Sequence, residues 1–264
     1  MNPKALKLLS DYLTEKEKSE ILDYDEIFYS GEKYKKANFN YKKIDKFDNN
    51  NFEYIINIGD HFCYRYEIIS ILGKGAFGEI VKCMDHKNGE MVAIKIFKNT
   101  ANIIKQGRNE INMLNLIQKL DNNNSNIVIM KTSFTFRSHL CIVFELLSIN
   151  LYEYLKERKF KGLEINDIRN LANQILRTLY FLHKNKIVHC DIKPENLLFT
   201  TDKKDKVKVI DLGSSCYELY QCDYSYIQSR YYRSPEILFG TKFGCQIDIW
   251  SFGCTLAELY ICIS

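Results

Sequence analysis

Apolar and polar positions alternate with a different period in different parts of this chain. Leu6, Leu9 and Leu13 fall on one stripe at three- and four-residue steps, which predicts an amphipathic helical region from Pro3 to about Phe28. Within it, Thr14 followed by Glu17 reads as a capping box that opens a second short helix. Such an appendage either covers apolar surface or docks a partner. From Lys33 to Asn51 the period is lost among Lys, Asn and Asp residues, and the run Asp48-Asn49-Asn50-Asn51 predicts a linker or extended loop.

Short runs rich in Ile, Val and Tyr follow at Tyr64–Leu72, Glu79–Met84 and Met91–Phe97, separated by glycine or His-Lys-Asn-Gly turns. They predict an antiparallel meander. A helix over Ile103–Leu120, a polar loop at Asp121–Asn126 and two apolar runs at Ile127–Phe134 and Leu140–Leu147 come next. Ile168, Leu171, Ile175, Leu179 and Leu182 then mark a long helix, with Asn166 or Asp167 as its cap. The remainder reads as loop and helix. The expected fold is therefore α+β: a small strand-rich half precedes a helical half, and a site between two such halves would lie in a cleft.

Composition narrows the function. With 46% hydrophobic and 27% charged residues, 264 residues suffice for a buried core, which excludes a disordered chain or a disulfide-stapled miniprotein. The formal charge of +4 is too small to suggest nucleic-acid binding by field alone. Nine cysteines without a C-x-x-C pair, behind an N-terminus without a secretory pattern, read as buried or free thiols in a reducing compartment, cytoplasm or nucleus. No apolar run has the roughly 20 residues of a membrane helix, so no membrane partner is expected.

Three stretches carry chemistry. Gly73-Lys74-Gly75-Ala76-Phe77-Gly78 lies between two strand-like runs, where absent side chains let backbone N–H groups approach phosphate. Alone it reads equally well as a hairpin turn. No Lys-Ser/Thr follows the last glycine, so it is not a Walker A loop. Val92-Ala93-Ile94-Lys95 places an ammonium in an apolar strand, where it needs an anion unless it faces solvent. Glu110, on the following helix, is a candidate partner for Lys95, and it could equally face water.

The most specific stretch is His189-Cys190-Asp191-Ile192-Lys193-Pro194-Glu195-Asn196. Asp191 can accept a proton from an attacking hydroxyl, Lys193 can neutralise a transferring phosphoryl group, and Asn196 can ligate Mg²⁺. After the strand-like Val207–Ile210, Asp211-Leu212-Gly213 adds a second oxygen ligand. His183 and His189 lack the partner spacing of a transition-metal site.

In this order the motifs resemble the eukaryotic protein kinase signature, from glycine loop through strand lysine, helix glutamate and catalytic loop to a metal-binding Asp-x-Gly. The chain reads Leu212 where most kinases have Phe, which keeps an apolar side chain for packing. Lys193 resembles the serine/threonine branch. Within the family, Tyr224-Ser225-Tyr226 and the run Gln228-Ser229-Arg230-Tyr231-Tyr232-Arg233-Ser234-Pro235-Glu236 resemble the dual-specificity tyrosine-regulated kinases (DYRK).

That resemblance implies a bilobal kinase fold, with accessory helices and linker over residues 1–60, a strand-rich lobe over 61–147 and a helical lobe over 148–264. It implies ATP and Mg²⁺ as cofactors, protein substrates at Ser/Thr followed by Pro, and autophosphorylation of Tyr226. Asp60-His61-Phe62 looks like the family's homology box, and the helical Leu13–Phe28 region like the accessory segment of its class II members. Cys190 stands where most kinases carry the arginine that pairs with a loop phosphate, so Arg230 and Arg233 are expected to take that role. Ile80, Ala93, Phe144, Glu145, Leu147, Asn150 and Leu198 would line the nucleotide site beside Lys95, with Phe144 as gatekeeper. Glu195 would read an arginine upstream of the phosphoacceptor.

Asp248-Ile249-Trp250-Ser251-Phe252-Gly253 resembles the opening of the large central helix of the helical lobe, and the family's later helices do not follow. Leu256, Leu259, Tyr260 and Ile261 are then expected to form an exposed apolar patch that a partner could cover, and Glu236 to lack its arginine. The alternative to an active kinase is an impaired nucleotide-binding or scaffold protein.

Overall fold

The computed structural model describes residues 8–31, 47–121, 125–218 and 227–261. The chain divides into two compact units, Met1–Gly107 with Met130–Leu146 and Arg108–Ile129 with Leu147–Ser264.

Unit 1 is built on a six-stranded antiparallel sheet of β1 (His61–Phe62), β2 (Tyr66–Gly75), β3 (Gly78–Asp85), β4 (Glu90–Phe97), β5 (Met130–Phe136) and β6 (His139–Glu145), in the order β1-β2-β3-β4-β6-β5. Two-residue alternation decides which side chains go inward. Val81, Cys83, Val92, Ile94, Ile96, Cys141 and Val143 are buried with Tyr54, Phe62, Tyr66, Ile68 and Phe136 in an aromatic core. The meander read from the sequence is present, although β2 starts at Tyr66 because Cys63 and Tyr64 turn with positive φ. Arg137 and Ser138, both at positive φ, form the tight turn between β5 and β6, which matches the right-handed twist of the flanking strands.

Among the described residues the predicted N-terminal helical region comprises a helical stretch at 8–9, α1 (Glu15–Glu20) and single 3₁₀ turns at Ser10–Tyr12 and Ile21–Asp23. The capping box is present: the Glu17 N–H donates to Thr14 Oγ1 and the Thr14 N–H to Glu17 Oε2. Beyond Tyr24 the chain is extended, because the N–H groups of Phe28 and Tyr29 donate to Tyr64 O instead of to helical carbonyls. Leu13, Ile21 and Tyr64 form a small buried cluster beneath α1. Leu6 lies outside the described residues. The linker expectation fails at its end: Asp48 and Tyr54 bridge antiparallel around a structured turn.

α2 (Ala101–Leu120) begins in unit 1 and ends in unit 2. The rest of unit 2 contains α3 (Leu151–Glu157), α4 (Ile165–Lys184), β7 (Ile187–Val188), β8 (Leu197–Phe199), β9 (Val207–Val209), β10 (Cys216–Tyr217), α5 (Pro235–Leu238) and α6 (Gln246–Ile261). β7 pairs with β10 and β8 with β9. The predicted stripe of α4 is its buried face: Ile168, Leu171, Ile175 and Leu179 pack with Ile192, Leu197, Phe199 and Phe252. Its cap differs from the expectation. Glu164 takes the cap position without a side-chain bond, and the Asn166 side chain instead accepts from Arg169.

The expected apolar patch on α6 is also smaller than anticipated. Leu259 is fully buried and Leu256 packs on the same core, because the Leu163 N–H donates to Leu259 O at 2.9 Å and brings residues 162–163 over the helix end. Tyr260 and Ile261 remain more than half exposed. Among the described residues no helix is long and apolar enough to cross a membrane. Among the described residues six cysteines are free thiols, as expected, whereas Cys216 is disulfide-bonded, against the expectation of buried or free thiols throughout.

Candidate active site

In unit 1 the glycine stretch is itself a hairpin: Gly75 pairs with Gly78, Lys74 with Glu79 and Gly73 with Ile80. Gly78 has φ 154°, and a Cβ there would stand 1.9 Å from the carbonyl oxygen of Ile96. Only glycine fits that position, since the neighbouring atom is backbone and cannot swing away. Around Gly73 and Gly75 the space is open, with nothing within 4 Å of an added Cβ. Phe77 O accepts from the Lys98 N–H at 3.0 Å and ties the hairpin tip to the chain after β4.

Strand register brings four of the proposed nucleotide residues to one face. Ile80 pairs with Lys95, and Ala93 with Phe144, so these side chains share the face of the sheet opposite Val92, Ile94 and Ile96. Lys95 Nζ lies 5.1 Å from the centroid of the Phe97 ring. Glu145 ends β6 opposite Val92. Glu110 is buried on α2, in the part of that helix assigned to unit 2.

Unit 2 assembles the His189–Asn196 stretch around Asp248. Its carboxylate, wholly buried on α6, accepts the backbone N–H groups of His189 at 2.8 Å and Cys190 at 2.9 Å, and His183 Nε2 at 3.0 Å. Two backbone amides held by one carboxylate fix the loop where Cys190 adopts φ 67°. The ring of His189 bridges outward: Nδ1 accepts the Asp191 N–H at 3.2 Å while Nε2–H donates to Ile210 O at 3.0 Å.

Asp191 is the hub. Asn196 Nδ2 donates to its carbonyl at 2.8 Å and to Oδ2 at 2.9 Å, Lys193 Nζ lies 2.8 Å from Oδ2, and Ser229 Oγ donates to Oδ1 at 2.8 Å. Lys193 Nζ also donates to Ser229 Oγ at 2.9 Å, closing a triangle. Ser229 is a site residue that the motif reading passed over. Its position in the Gln-Ser-Arg run carried no chemical signal, because a serine in a polar segment looks like ordinary loop.

The two expected metal ligands are neighbours. β8 pairs with β9 so that Leu197 faces Val209, and the Ile210 N–H donates to Asn196 O at 3.0 Å. Asn196 and Asp211 thus flank the same end of a two-stranded ribbon. Because the Asn196 amide nitrogen is turned to Asp191, its oxygen is the atom left for a cation. Asp211 has left-handed backbone (φ 61°, ψ 76°) with Leu212 buried behind it, so the leucine fills the packing role expected of it. An amide oxygen and a carboxylate are the hard donors that Mg²⁺ takes, so the donor set fits that ion.

Asn150 has a task the sequence reading did not give it: its side chain caps α3, accepting the Glu153 N–H at 2.7 Å, and its backbone bridges Leu198. Leu147, also proposed for the nucleotide site, precedes it in unit 2. Arg233 is buried and donates to the carbonyls of Ile227 and Gln228, at 2.9 and 2.8 Å, whereas Arg230 is exposed. Tyr226 lies outside the described residues. Near the same segment, Tyr232 donates its hydroxyl to Glu258, whose carboxyl is raised above its ordinary value by burial and by the charge of Glu195. Glu195 Oε2 is buried with no hydrogen-bond partner among the described residues.

A second group of ionisable side chains, Glu17, Asp60 and His61, lies buried in unit 1 with ligand atoms within 4.8 Å of one another. Its own contacts account for it. His61 Nδ1 accepts the Tyr64 N–H, so Nε2–H donates to Glu17 Oε1 at 3.2 Å, and the Arg137 guanidinium supplies the countercharge to Glu17 at 3.3 Å. This is an ion-pair network that docks α1.

Comparison with known proteins agrees with this geometry. A family model described as "Protein kinase domain" matches residues 66–262. The chain is 46% identical over 259 residues, 97% of its length, to the human dual specificity tyrosine-phosphorylation-regulated kinase 4, of which the match covers 50%. It is 46% identical over 258 residues to the human kinase 3 of that name, covering 97% of this chain and 44% of the relative. A Dictyostelium discoideum protein named probable serine/threonine-protein kinase dyrk2 is 47% identical over 258 residues, covering 97% of this chain and 28% of that protein. The chain thus spans half or less of the length of the curated relatives it matches. A glycine hairpin in one unit, an Asp191-centred loop in the other and a family model across most of the length place this chain in the protein kinase family, and along nearly all of it the resemblance is to the dual-specificity tyrosine-phosphorylation-regulated kinases.

Proposed function

We propose that this chain is the catalytic region of a protein kinase that transfers the γ-phosphoryl group of ATP to Ser or Thr of protein substrates. The observation that carries this reading is the Asp191 hub, in which one carboxylate is oriented by Asn196, Lys193 and Ser229 beside the Asp211 segment. Asp191 holds the acceptor hydroxyl and takes its proton as the oxygen attacks. Lys193 stands where negative charge develops and offsets it. Asn196 and Asp211 would hold Mg²⁺, which when bound neutralises charge on the β- and γ-phosphates. Lys95, on the sheet face shared with Ile80, Ala93 and Phe144, orients the nucleotide phosphates, and Glu110 is its proposed partner.

In this reading Tyr226 is autophosphorylated and its phosphate is met by Arg230, the exposed cation of the pair, with Arg233 holding the segment from within. Substrates carry Pro after the acceptor and an arginine before it. Glu195 and Glu258, two carboxyl groups of which one oxygen is unpaired among the described residues, are suited to that arginine. Six free thiols among the described residues, set against the one disulfide at Cys216, favour a reducing compartment, cytoplasm or nucleus.

The test is phosphoryl transfer from MgATP to a Ser-Pro peptide with an upstream arginine, by the 1–264 chain and by Asp191→Asn. The parent should phosphorylate the peptide and the variant should lose about 10²–10⁴-fold in kcat. Mass spectrometry of the same samples should find phosphate on Tyr226 in the parent alone. Equal transfer by both proteins would remove Asp191 from its role.

A further inference from the structure

The turn from Asp48 to Tyr54 belongs to none of the motifs discussed above, yet it is fastened on several sides. Asp48 Oδ1 lies 2.8 Å from His139 Nε2, and Asp48 Oδ2 accepts from Asn99 Nδ2 at 3.0 Å. The Asn99 N–H donates to Phe52 O at 2.8 Å, and Arg137 donates to the Tyr54 hydroxyl at 3.2 Å. Inside the turn, Asn49 Oδ1 accepts the N–H groups of Asn51 at 2.8 Å and Glu53 at 3.1 Å. The loop is therefore a rigid bracket on the sheet.

What the bracket presents is a carboxylate. Glu53 is 4% exposed, and its Oε2 accepts from Asn49 Nδ2 at 2.9 Å and from Lys74 Nζ at 2.6 Å, while Oε1 lies 3.2 Å from Lys98 Nζ. Lys74 stands between Gly73 and Gly75 and also lies 3.0 Å from Glu79 Oε1, its cross-strand neighbour. Lys98 is the residue whose N–H holds Phe77 O at the tip. One buried carboxylate thus grips both the outer strand of the glycine hairpin and the chain that ties down its tip. The flanking glycines contribute no side-chain contacts of their own, so without such a grip the hairpin would have to be ordered at the cost of ligand affinity.

We propose that Glu53 is a positioning residue for nucleotide binding: through Lys74 it holds the glycine hairpin in the conformation that meets phosphate. This role rests on the kinase reading of the hairpin. A segment N-terminal to the sheet would then set nucleotide affinity without touching the nucleotide.

The test uses the 1–264 chain, isothermal titration with MgATP, and hydrogen exchange of peptides covering Gly73–Gly78. Glu53→Gln and Lys74→Met should each weaken MgATP binding about threefold to tenfold and speed exchange in that segment. The double variant should be no worse than the weaker binder of the two, since both remove one interaction. Lys74→Arg, which keeps the pair, should recover most of the MgATP affinity that Lys74→Met loses. Lys74 is largely exposed, so Lys74→Met folds even if Glu53→Gln does not. Unchanged affinity and exchange in Lys74→Met, tighter binding in Glu53→Gln, or additive losses in the double variant would each overturn the role. A parent chain that binds no MgATP would overturn the nucleotide reading and this role with it, and would be seen before any substitution is made.

Discussion

Ser229 donates its hydroxyl hydrogen to Asp191 Oδ1 at 2.8 Å while accepting from Lys193 Nζ at 2.9 Å. A serine distant in sequence therefore bridges the two charged groups of the Asp191 loop, which also pair directly with each other at 2.8 Å. Ser229→Ala should lower kcat by about tenfold with little change in MgATP affinity, and Ser229→Thr should restore most of the loss because it keeps the hydroxyl. Steady-state kinetics with a peptide substrate decides this; an alanine variant with parental kcat would make Ser229 a packing residue only.

Lys95 shares its sheet face with Ile80, Ala93 and Phe144. Lys95→Arg should reduce kcat/KM for MgATP by about tenfold or more, because a planar guanidinium does not reproduce the geometry of an ammonium. Normal turnover in the variant would mean that Lys95 does not meet phosphate.

Glu195 offers a buried, unpaired oxygen beside Glu258. Glu195→Gln should lower kcat/KM by about tenfold for a peptide with an upstream arginine and leave a peptide without that arginine nearly unchanged. Equal effects on the two peptides would take Glu195 out of substrate reading.

Gly78 meets the Ile96 carbonyl where a Cβ would stand, at 1.9 Å. Gly78→Ala should destabilise unit 1 by about 1–3 kcal/mol and weaken nucleotide binding together, since the hairpin must open to admit the methyl group. Gly75→Ala, with open space at the added carbon, should cost much less in thermal stability; similar costs for both would contradict this geometry.

The Glu53 carboxyl is lowered from 4.5 to about 2, chiefly by its hydrogen bonds with Asn49 and Lys74. A carboxyl depressed in the folded chain contributes stability that is fully present above about pH 4.5 and lost as the pH falls toward 2. Glu53→Gln should therefore lose less stability than the parent across that window. Urea unfolding at a series of pH values measures it, and parallel pH slopes for the two proteins would count against the pairing.

Much of the site could be read from the sequence because its chemistry is local. Asp191, Lys193 and Asn196 lie within six residues of each other, and the short loop that joins them leaves few ways to arrange them. The face shared by Ile80, Ala93, Lys95 and Phe144 was legible as family resemblance, and strand register supplies the physical reason. Ser229 and Asp248 were harder to see. Each acts across a long stretch of chain, Ser229 on Asp191 and Asp248 on the backbone of His189 and Cys190, and the runs that contain them carry a family resemblance but nothing local that says what either side chain would touch. The polar run at residues 48–51 misled for a related reason. Asn and Asp make loops by bonding to nearby backbone, and composition cannot distinguish a loose linker from a bracket in which the side chains of Asp48, Asn49 and Glu53 are engaged. The cap of α4 failed similarly, since Asn166 had another partner within reach in Arg169.

Glu17 closes the capping box of α1 with Oε2, while Oε1 receives His61 and Arg137. The same carboxylate thus begins the helix and fastens it to the sheet. Helix formation and attachment are consequently one cooperative event: the short α1 has no docked but frayed state, and no helical but detached one. Its amides should exchange with solvent as a single unit, and any change that frees the segment should also unwind it.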